Sequence, residues 1–229
     1  MITTKHTNTA ILLFAQSAEV DASSKSLEDF AVMHVLNNRV QDTVVKSGLD
    51  FFHFTEREQR GTSFGSRFSN AIQDVFALGY ESVICLGNDT PLLTPQLITQ
   101  AAQQLELGHA VEGKSLDGGL YLMAMHRSQF HAATFEQLPW QSQYLATAFQ
   151  HYIDLLDGTL QVLISLRDID STDDLRQFLA GKDARVEWIR LLVITLSRKR
   201  NNYNTSTQQV IQVFQTQPAN RGSPYPLAA

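Results

Sequence analysis

The chain has 229 residues, 43% of them apolar, and a formal net charge of −5 from 18 basic and 23 acidic residues. That length suits one domain, with two allowed, and that apolar fraction excludes global disorder. An acidic balance without a long run of either sign argues against a nucleic-acid-binding face, and the single Cys85 excludes a disulfide framework or a multi-cysteine metal site.

The first ten residues are polar, and the apolar run behind them, "AILLFA", is too short for a signal-peptide core. No apolar stretch approaches the ~20 residues of a membrane helix, so the chain reads as soluble and cytoplasmic. Ala10 to Ala15 reads as a strand buried on both faces. From Lys25 to about Lys46, Leu27, Phe30, His34, Val40 and Val44 recur at helical spacing. Asp50 to Thr55 is a second strand candidate, and "ESVICLG" a third. Between them, Phe64, Phe68, Ala71, Ile72, Val75 and Phe76 form one helical stripe, stopped by Gly79. Thr94 is a natural N-cap, Pro95 suits the first helical position, and Gly108 closes that helix. "HAVEG" and "GLYLMAM" read as strands, "QSQYLATAFQHYIDLLDG" as a helix, "LQVLISL" as a last strand, and "STDDLRQFLAG" as a short helix opened by Ser171 or Thr172.

Strands separated by single helices predict an α/β fold: a three-layer, Rossmann-like, mostly parallel sheet flanked by helices. Beyond Gly181 the character changes, through the poorly patterned "VEWIRLLVITL" to a polar, then Pro- and Gly-containing tail. The expected organisation is a domain over 1–180 and a C-terminal extension over 181–229, partly helical or a loose tail. The extension could pack on the core or on a second subunit, which would make a homodimer.

In open α/β sheets, ligands bind beyond the carboxyl ends of the strands. Acidic residues fall at three such ends: Asp89 after "SVICLG", Asp117 in "KSLDGGLY", and Asp168 with Asp170 in "SLRDIDSTDDL". Each alone is explained as a turn or cap residue. Together, carboxylates at one crevice repel each other unless a cation joins them, and Mg²⁺ or Mn²⁺ with substrate phosphates is the natural occupant. "DGG" either admits a ligand to the backbone or forms a bulge. Arg67, in the first turn after "GTSFGS", either faces a phosphate or is solvated. Trp140 reads as a staple on the core or as a lip of an acceptor pocket. The seven histidines show no metal-ligand spacing, and Cys85 reads as core packing.

Five segments in order, "GTSFGSRFSNAIQDVFALGYESVICLGNDTPLLTPQLITQAAQQL", "LDGGLYLMAM", "LPW" and "RDIDSTDDL" together with the first strand, resemble the glycosyltransferase A-like family of nucleotide-diphospho-sugar transferases. The resemblance runs from Ala10 to about Leu179 and is nearest to a bacterial branch of uncharacterised glycosyltransferases or selenodomain-associated transferases. It is more distant to the phospholactate and molybdenum-cofactor guanylyltransferases. It implies a nucleotide or nucleotide sugar held through a divalent metal, with an unknown acceptor. By position, Asp89 would be the metal carboxylate of an Asp-x-Pro motif and a catalytic residue, and Asp168 and Asp170 would complete the metal site. Asp117, also catalytic, would line the substrate pocket with Gly118 and Gly119. Gly65, Arg67, Asn88 and Trp140 would contact nucleotide or substrate.

The departures lie after the first strand. Where the family carries a phosphate-cradling loop ending in Lys-Thr-Arg-Leu, this chain has "FAQSAEVDASSKSL". Ser24 and Ser26 stand at the cationic positions and Asp21 at a glycine position, leaving Lys25 as the one remaining cation to contact a nucleotide; such an acidic loop repels phosphate. Leu120 replaces an aromatic residue. Lys114, where proline is usual, offers a replacement charge. The expected function is a metal-dependent transferase using a nucleotide-activated donor. The alternatives are a nucleotidyltransferase of the guanylyltransferase type and a non-catalytic binding protein on the same fold.

Overall fold

The computed structural model describes residues 8–24 and 30–180, with the side chains at 22–24 and 30–31 set aside. The expected Lys25 contact, Ser26 and the 181–229 extension lie outside the described residues. A six-stranded sheet forms the middle layer: β1 (Thr9–Phe14), β2 (Asp50–Phe54), β3 (Ser82–Leu86), β4 (Ala110–Lys114), β5 (Leu120–His126) and β6 (Leu160–Val162), in the order β2-β1-β3-β5-β4-β6. Five strands run parallel. β5 alone is reversed, pairing antiparallel with both β3 and β4, because it returns directly from β4 through a short turn. The expected mostly parallel, three-layer α/β sheet is the architecture found.

Each strand alternates its side chains between two helical layers. Ile11, Leu13, Ile84, Leu86, Val111 and Leu122 point to one face, where they meet Val40 and Val44 of α2 (Phe30–Ser47) and Leu97, Ile98, Ala101 and Leu105 of α4 (Pro95–Glu106). Ala10, Leu12, Val83, Cys85, Ala110 and Met123 point to the other. There they pack on α3 (Phe64–Ala77), α5 (Ala132–Phe135) and α6 (Leu145–Asp154). The caps follow the sequence: Ser63 and Ser66 form a reciprocal capping box at α3, and Thr94 accepts from the Leu97 amide ahead of Pro95. Cys85 is buried core, as expected, and burial pushes its thiol up.

The first segment after β1 departs from expectation. Ala18–Ser24 forms a short helix, α1, ahead of the long helix, which is described over Phe30–Ser47. A third apolar cluster explains it. Ala18 of α1 packs with Val32, Met33 and Leu36 of α2, with Ile169, and with Leu175 and Phe178 of α7 (Thr172–Ala180). The last expected strand also shortens. β6 ends at Val162, and the chain beyond it stays on the sheet through single contacts: the Leu163 amide donates to the Glu112 carbonyl, the Tyr121 hydroxyl donates to the Ile164 carbonyl, and Leu166 bridges to Ser115.

Candidate functional site

The chain leaves β1 for β2 through helices on one face and leaves β2 for β3 through α3 on the other. The topology therefore switches between the carboxyl ends of β1 and β3, where an open α/β sheet leaves a crevice. β3 delivers its exit turn, Gly87 to Pro91, to this place.

Asp89 is half-buried in that turn, and its carbonyl accepts a hydrogen bond from the Ile169 amide at 2.9 Å. That bond brings in the segment after β6. Ile169 is fully buried in the third cluster, an apolar anchor between Asp168 and Asp170. Asp168 is held by two hydroxyls: Thr90 Oγ1 donates to its Oδ1 at 2.5 Å, and Ser115 Oγ donates to its Oδ2. Thr90 and Ser115 are buried, so both donors are fixed.

Burial raises Asp168 most, and the negative charge of Asp89 adds to it, with a smaller push from Asp170; against the two hydroxyls, which pull down, its pKa is pushed up to about 7. The three carboxylates singled out in the sequence thus share one electrostatic neighbourhood. Among the described residues, no group of three His, Cys, Asp or Glu side chains is arranged to hold an ion by itself. The exposed Asp170 is followed by Ser171, which caps α7 by accepting from the Asp174 amide.

Asp117 is exposed at the tip of the β4–β5 turn, where its Oδ1 accepts from the Gly119 amide at 2.9 Å. Gly118 has φ +95°, and a Cβ there would run into the Gln143 carbonyl just before α6. The Gly-Gly pair therefore serves a close backbone approach between the turn and α6. Gly65 has a similar role: a Cβ there would meet the Glu136 carbonyl oxygen and lie 2.7 Å from Trp140 Nε1. Trp140 packs against Phe64, Phe68 and Phe135, with centroids 4.9–5.5 Å apart, and donates to the Phe135 carbonyl. Of the two readings of Trp140, the observed contacts are those of a staple. Arg67 is half-buried in the first turn of α3.

Asn88 is buried, and its amide nitrogen donates to Asp21 and Asn37. Asp21 is therefore not on an open acidic loop facing phosphate; it is a buried residue of α1, because its carboxylate has a polar partner at the β3 exit. Lys114 is also committed: its Nζ lies 3.1 Å from Oε1 of Glu112, whose side chain is wholly buried. Thr90, Ser115, Asn37 and Glu112 escaped the reading of the sequence. Thr90 and Ser115 each stand one or two residues from an acidic candidate at a strand end, which is a usable signal. Asn37 sits on the buried stripe of α2 between Leu36 and Val40, where nothing local names its partner.

This sheet, with its single reversed strand and helices on both faces, is the nucleotide-diphospho-sugar transferase fold. Its solved counterparts include a protein from Desulfovibrio desulfuricans G20 provisionally assigned as a nucleotide-diphospho-sugar transferase. That protein is 18% identical, with a TM-score of 0.67 over 85% of this chain and 97% of its own. The chain belongs to the family described as "Uncharacterized protein conserved in bacteria (DUF2064)", whose model matches residues 22–142. The Rv0371c homolog from Mycobacterium sp. strain JC1 is 14% identical, with a TM-score of 0.49 over 81% of this chain and 99% of its own. The manganese complex of Rv0371c from Mycobacterium tuberculosis H37Rv is 12% identical, with a TM-score of 0.47 over 76% and 98%. At these identities the likeness concerns the fold alone. No curated protein matches the chain. The fold and family bear out the resemblance read from the motifs. No helix among the described residues is long and apolar enough to cross a membrane.

Proposed function

We propose that the protein is a divalent-metal-dependent transferase acting on a nucleotide-activated donor, with a sugar as the transferred group. The observation that carries this reading is Asp168, a carboxylate clamped by Thr90 and Ser115 at the carboxyl ends of the strands and raised first by its burial, then by the charge of Asp89 and less by that of Asp170. Such an arrangement accumulates negative charge that a cation would relieve. Mg²⁺ and Mn²⁺ bind through one or two carboxylates and complete their shell with phosphate oxygens and water, which suits a site without a closed set of three protein ligands. Asp89 and Asp168 would be the principal ligands, with Asp170 at the rim. The ion would neutralise the charge of a departing diphosphate. The likeness to the Desulfovibrio desulfuricans protein supports the choice of donor class. Asp117, exposed on the β4–β5 turn, would face the acceptor, and Arg67 the nucleotide.

A second reading, a binding protein that keeps the fold without turnover, is favoured by one observation. Asp21, in the segment that departs from the family's phosphate-cradling loop, is committed to Asn88.

Thermal denaturation with Mn²⁺ or Mg²⁺, alone and with nucleoside diphosphates and nucleotide sugars, tests the proposal. Ligand at a hundred times its dissociation constant stabilises by about 2.7 kcal/mol, a shift of a few degrees for a domain of this size. Asp89→Ala is expected to abolish the shift. No shift with any nucleotide and metal pair sinks the proposal. A shift without release of nucleoside diphosphate in the presence of acceptors supports the binding protein, and release of pyrophosphate from a nucleoside triphosphate supports a nucleotidyltransferase.

A further inference from the structure

Three polar side chains meet at the topological switch point, all of them nearly removed from solvent: Asp21 and Asn88 at 6% exposure and Asn37 at 7%. The Asn88 amide nitrogen donates to Asp21 Oδ2 and to Asn37 Oδ1, at 2.5 Å each. An amide NH₂ has two hydrogens to give, and both are used. The two acceptors sit on different elements, Asp21 on α1 and Asn37 on α2, and both helices are anchored in the third apolar cluster through Ala18, Met33 and Leu36. One side chain therefore ties the exit of β3 to the two helices that follow β1.

The next two residues are held as well. Asp89 accepts the Ile169 amide through its carbonyl, and Thr90 donates to Asp168. Three consecutive residues of the turn are thus fixed by bonds to segments distant in sequence, and the middle one is Asp89. Buried polar networks of this kind are rigid when satisfied, and the loss of one member leaves another uncompensated. A metal-ligating carboxylate gains from such support, since useful ligand geometry tolerates only about 0.5 Å of error.

We infer that Asp21 and Asn37 are positioning residues: through Asn88 they set the turn that presents Asp89, and α1 and α2 act as the scaffold of that carboxylate. The functional consequence rests on the reading of Asp89 as a metal ligand; the pinning of the turn does not.

The test compares the wild type with Asp21→Ala, Asn37→Ala and Asp21→Asn, which keeps an acceptor oxygen. Hydrogen exchange of the metal-free proteins is read by mass spectrometry. Peptides covering residues 87–91 and Ile169 are expected to exchange about tenfold faster in both alanine variants, as local opening becomes easier. Peptides from β4 and β5 should not change, and Asp21→Asn should stay close to wild type. Wild-type exchange at 87–91 and Ile169 in both alanine variants overturns the inference. Titration with Mn²⁺ alone supplies the readout that a merely structural role would not move. Both alanine variants should bind about tenfold more weakly, and Asp21→Asn should bind like the wild type. Unchanged Mn²⁺ affinity in the alanine variants overturns the functional consequence. A wild type that does not bind Mn²⁺ overturns the metal reading of Asp89, and the exchange result still decides the pinning.

Discussion

Lys114→Met probes a charge that the fold has buried at a cost. The Glu112 side chain is fully buried in β4, and neither carboxylate oxygen has a hydrogen-bond partner among the described residues. Lys114 Nζ, 3.1 Å from Oε1, is in ion-pair range without hydrogen-bond alignment, and its side chain is about one-third exposed. At an effective dielectric constant of about 20, that separation gives an attraction of roughly 5 kcal/mol. Desolvation of each ion costs several kcal/mol, so the pair comes near to breaking even. Burial, the largest influence, raises the Glu112 pKa above its ordinary 4.5, and the ammonium only partly offsets it. Without the ammonium, Glu112 either stays ionised at several kcal/mol or takes up a proton. At pH 7 the proton costs about 1.4 kcal/mol for each of the roughly 2.5 pH units above 4.5, so the penalty is capped near ~3 kcal/mol. At pH 5 the cap falls below ~1 kcal/mol. The sign follows from linkage: the folded variant holds a proton that the unfolded chain releases near 4.5, so stability is full below that pH and declines as pH rises. Urea unfolding at pH 5 and pH 7 measures this directly. Lost packing of the lysine stem is common to both conditions, so the difference of about 2 kcal/mol between them is diagnostic. The double variant Glu112→Leu/Lys114→Met should be neutral or more stable than wild type. An equal penalty at both pH values would refute the reasoning.

Asp168, raised to about 7 when folded against 3.8 when unfolded, keeps a proton in the native state that the unfolded chain loses. Without metal, stability is therefore expected to decline as pH rises from about 4 through about 7. Asp168→Asn, with no charge to bury, should be more stable than wild type by on the order of 2 kcal/mol at pH 8 and nearly equal to it at pH 5. Thermal denaturation at the two pH values checks this, and a variant destabilised equally at both would contradict it. Under the proposed function, the same proton competes with the ion, so Mn²⁺ affinity should rise up to about tenfold per pH unit until pH 7 and then level off. Gly65→Ala should cost about 3 kcal/mol in urea unfolding, because the new methyl meets a backbone carbonyl that has little freedom to move. A loss under ~0.5 kcal/mol would mean that α3 can move away from Trp140.

The layered fold was legible because its signals are local. Continuous apolar runs marked β1 and β3, the stripe from Phe68 to Phe76 marked the buried face of α3, and Thr94-Pro95 marked the start of α4. The misreadings arose where a distant contact overrides local pattern. α1 is a polar seven-residue segment, and its place depends on Ala18 entering a cluster completed by Phe178, 160 residues later. The reversal of β5 is likewise invisible in periodicity, since an alternating strand looks the same in either direction. Asp89, Asp168 and Asp170 could be picked out because each ends a strand or follows one. Their mutual influence could be expected but not their distances, and the hydroxyls of Thr90 and Ser115 reach Asp168 only through the fold, from 78 and 53 residues away.

The sequence after β1 held the most consequential ambiguity, and its resolution depends on pairing. Taken alone, Asp21 looks like a charge spoiling a phosphate loop, and Asn37 like a polar flaw in the apolar stripe of α2. A buried carboxylate and a buried amide would each be costly if isolated. Their cost vanishes as an argument against the fold once Asn88, 67 residues from Asp21 and 51 from Asn37, supplies a donor to both. Two apparent defects are then two halves of one bond network, and its third member directly precedes Asp89. The segment after β1 is accounted for by what it bonds to: Asp21 and Asn37 back the turn that carries Asp89, at the end of the sheet where the chain changes direction.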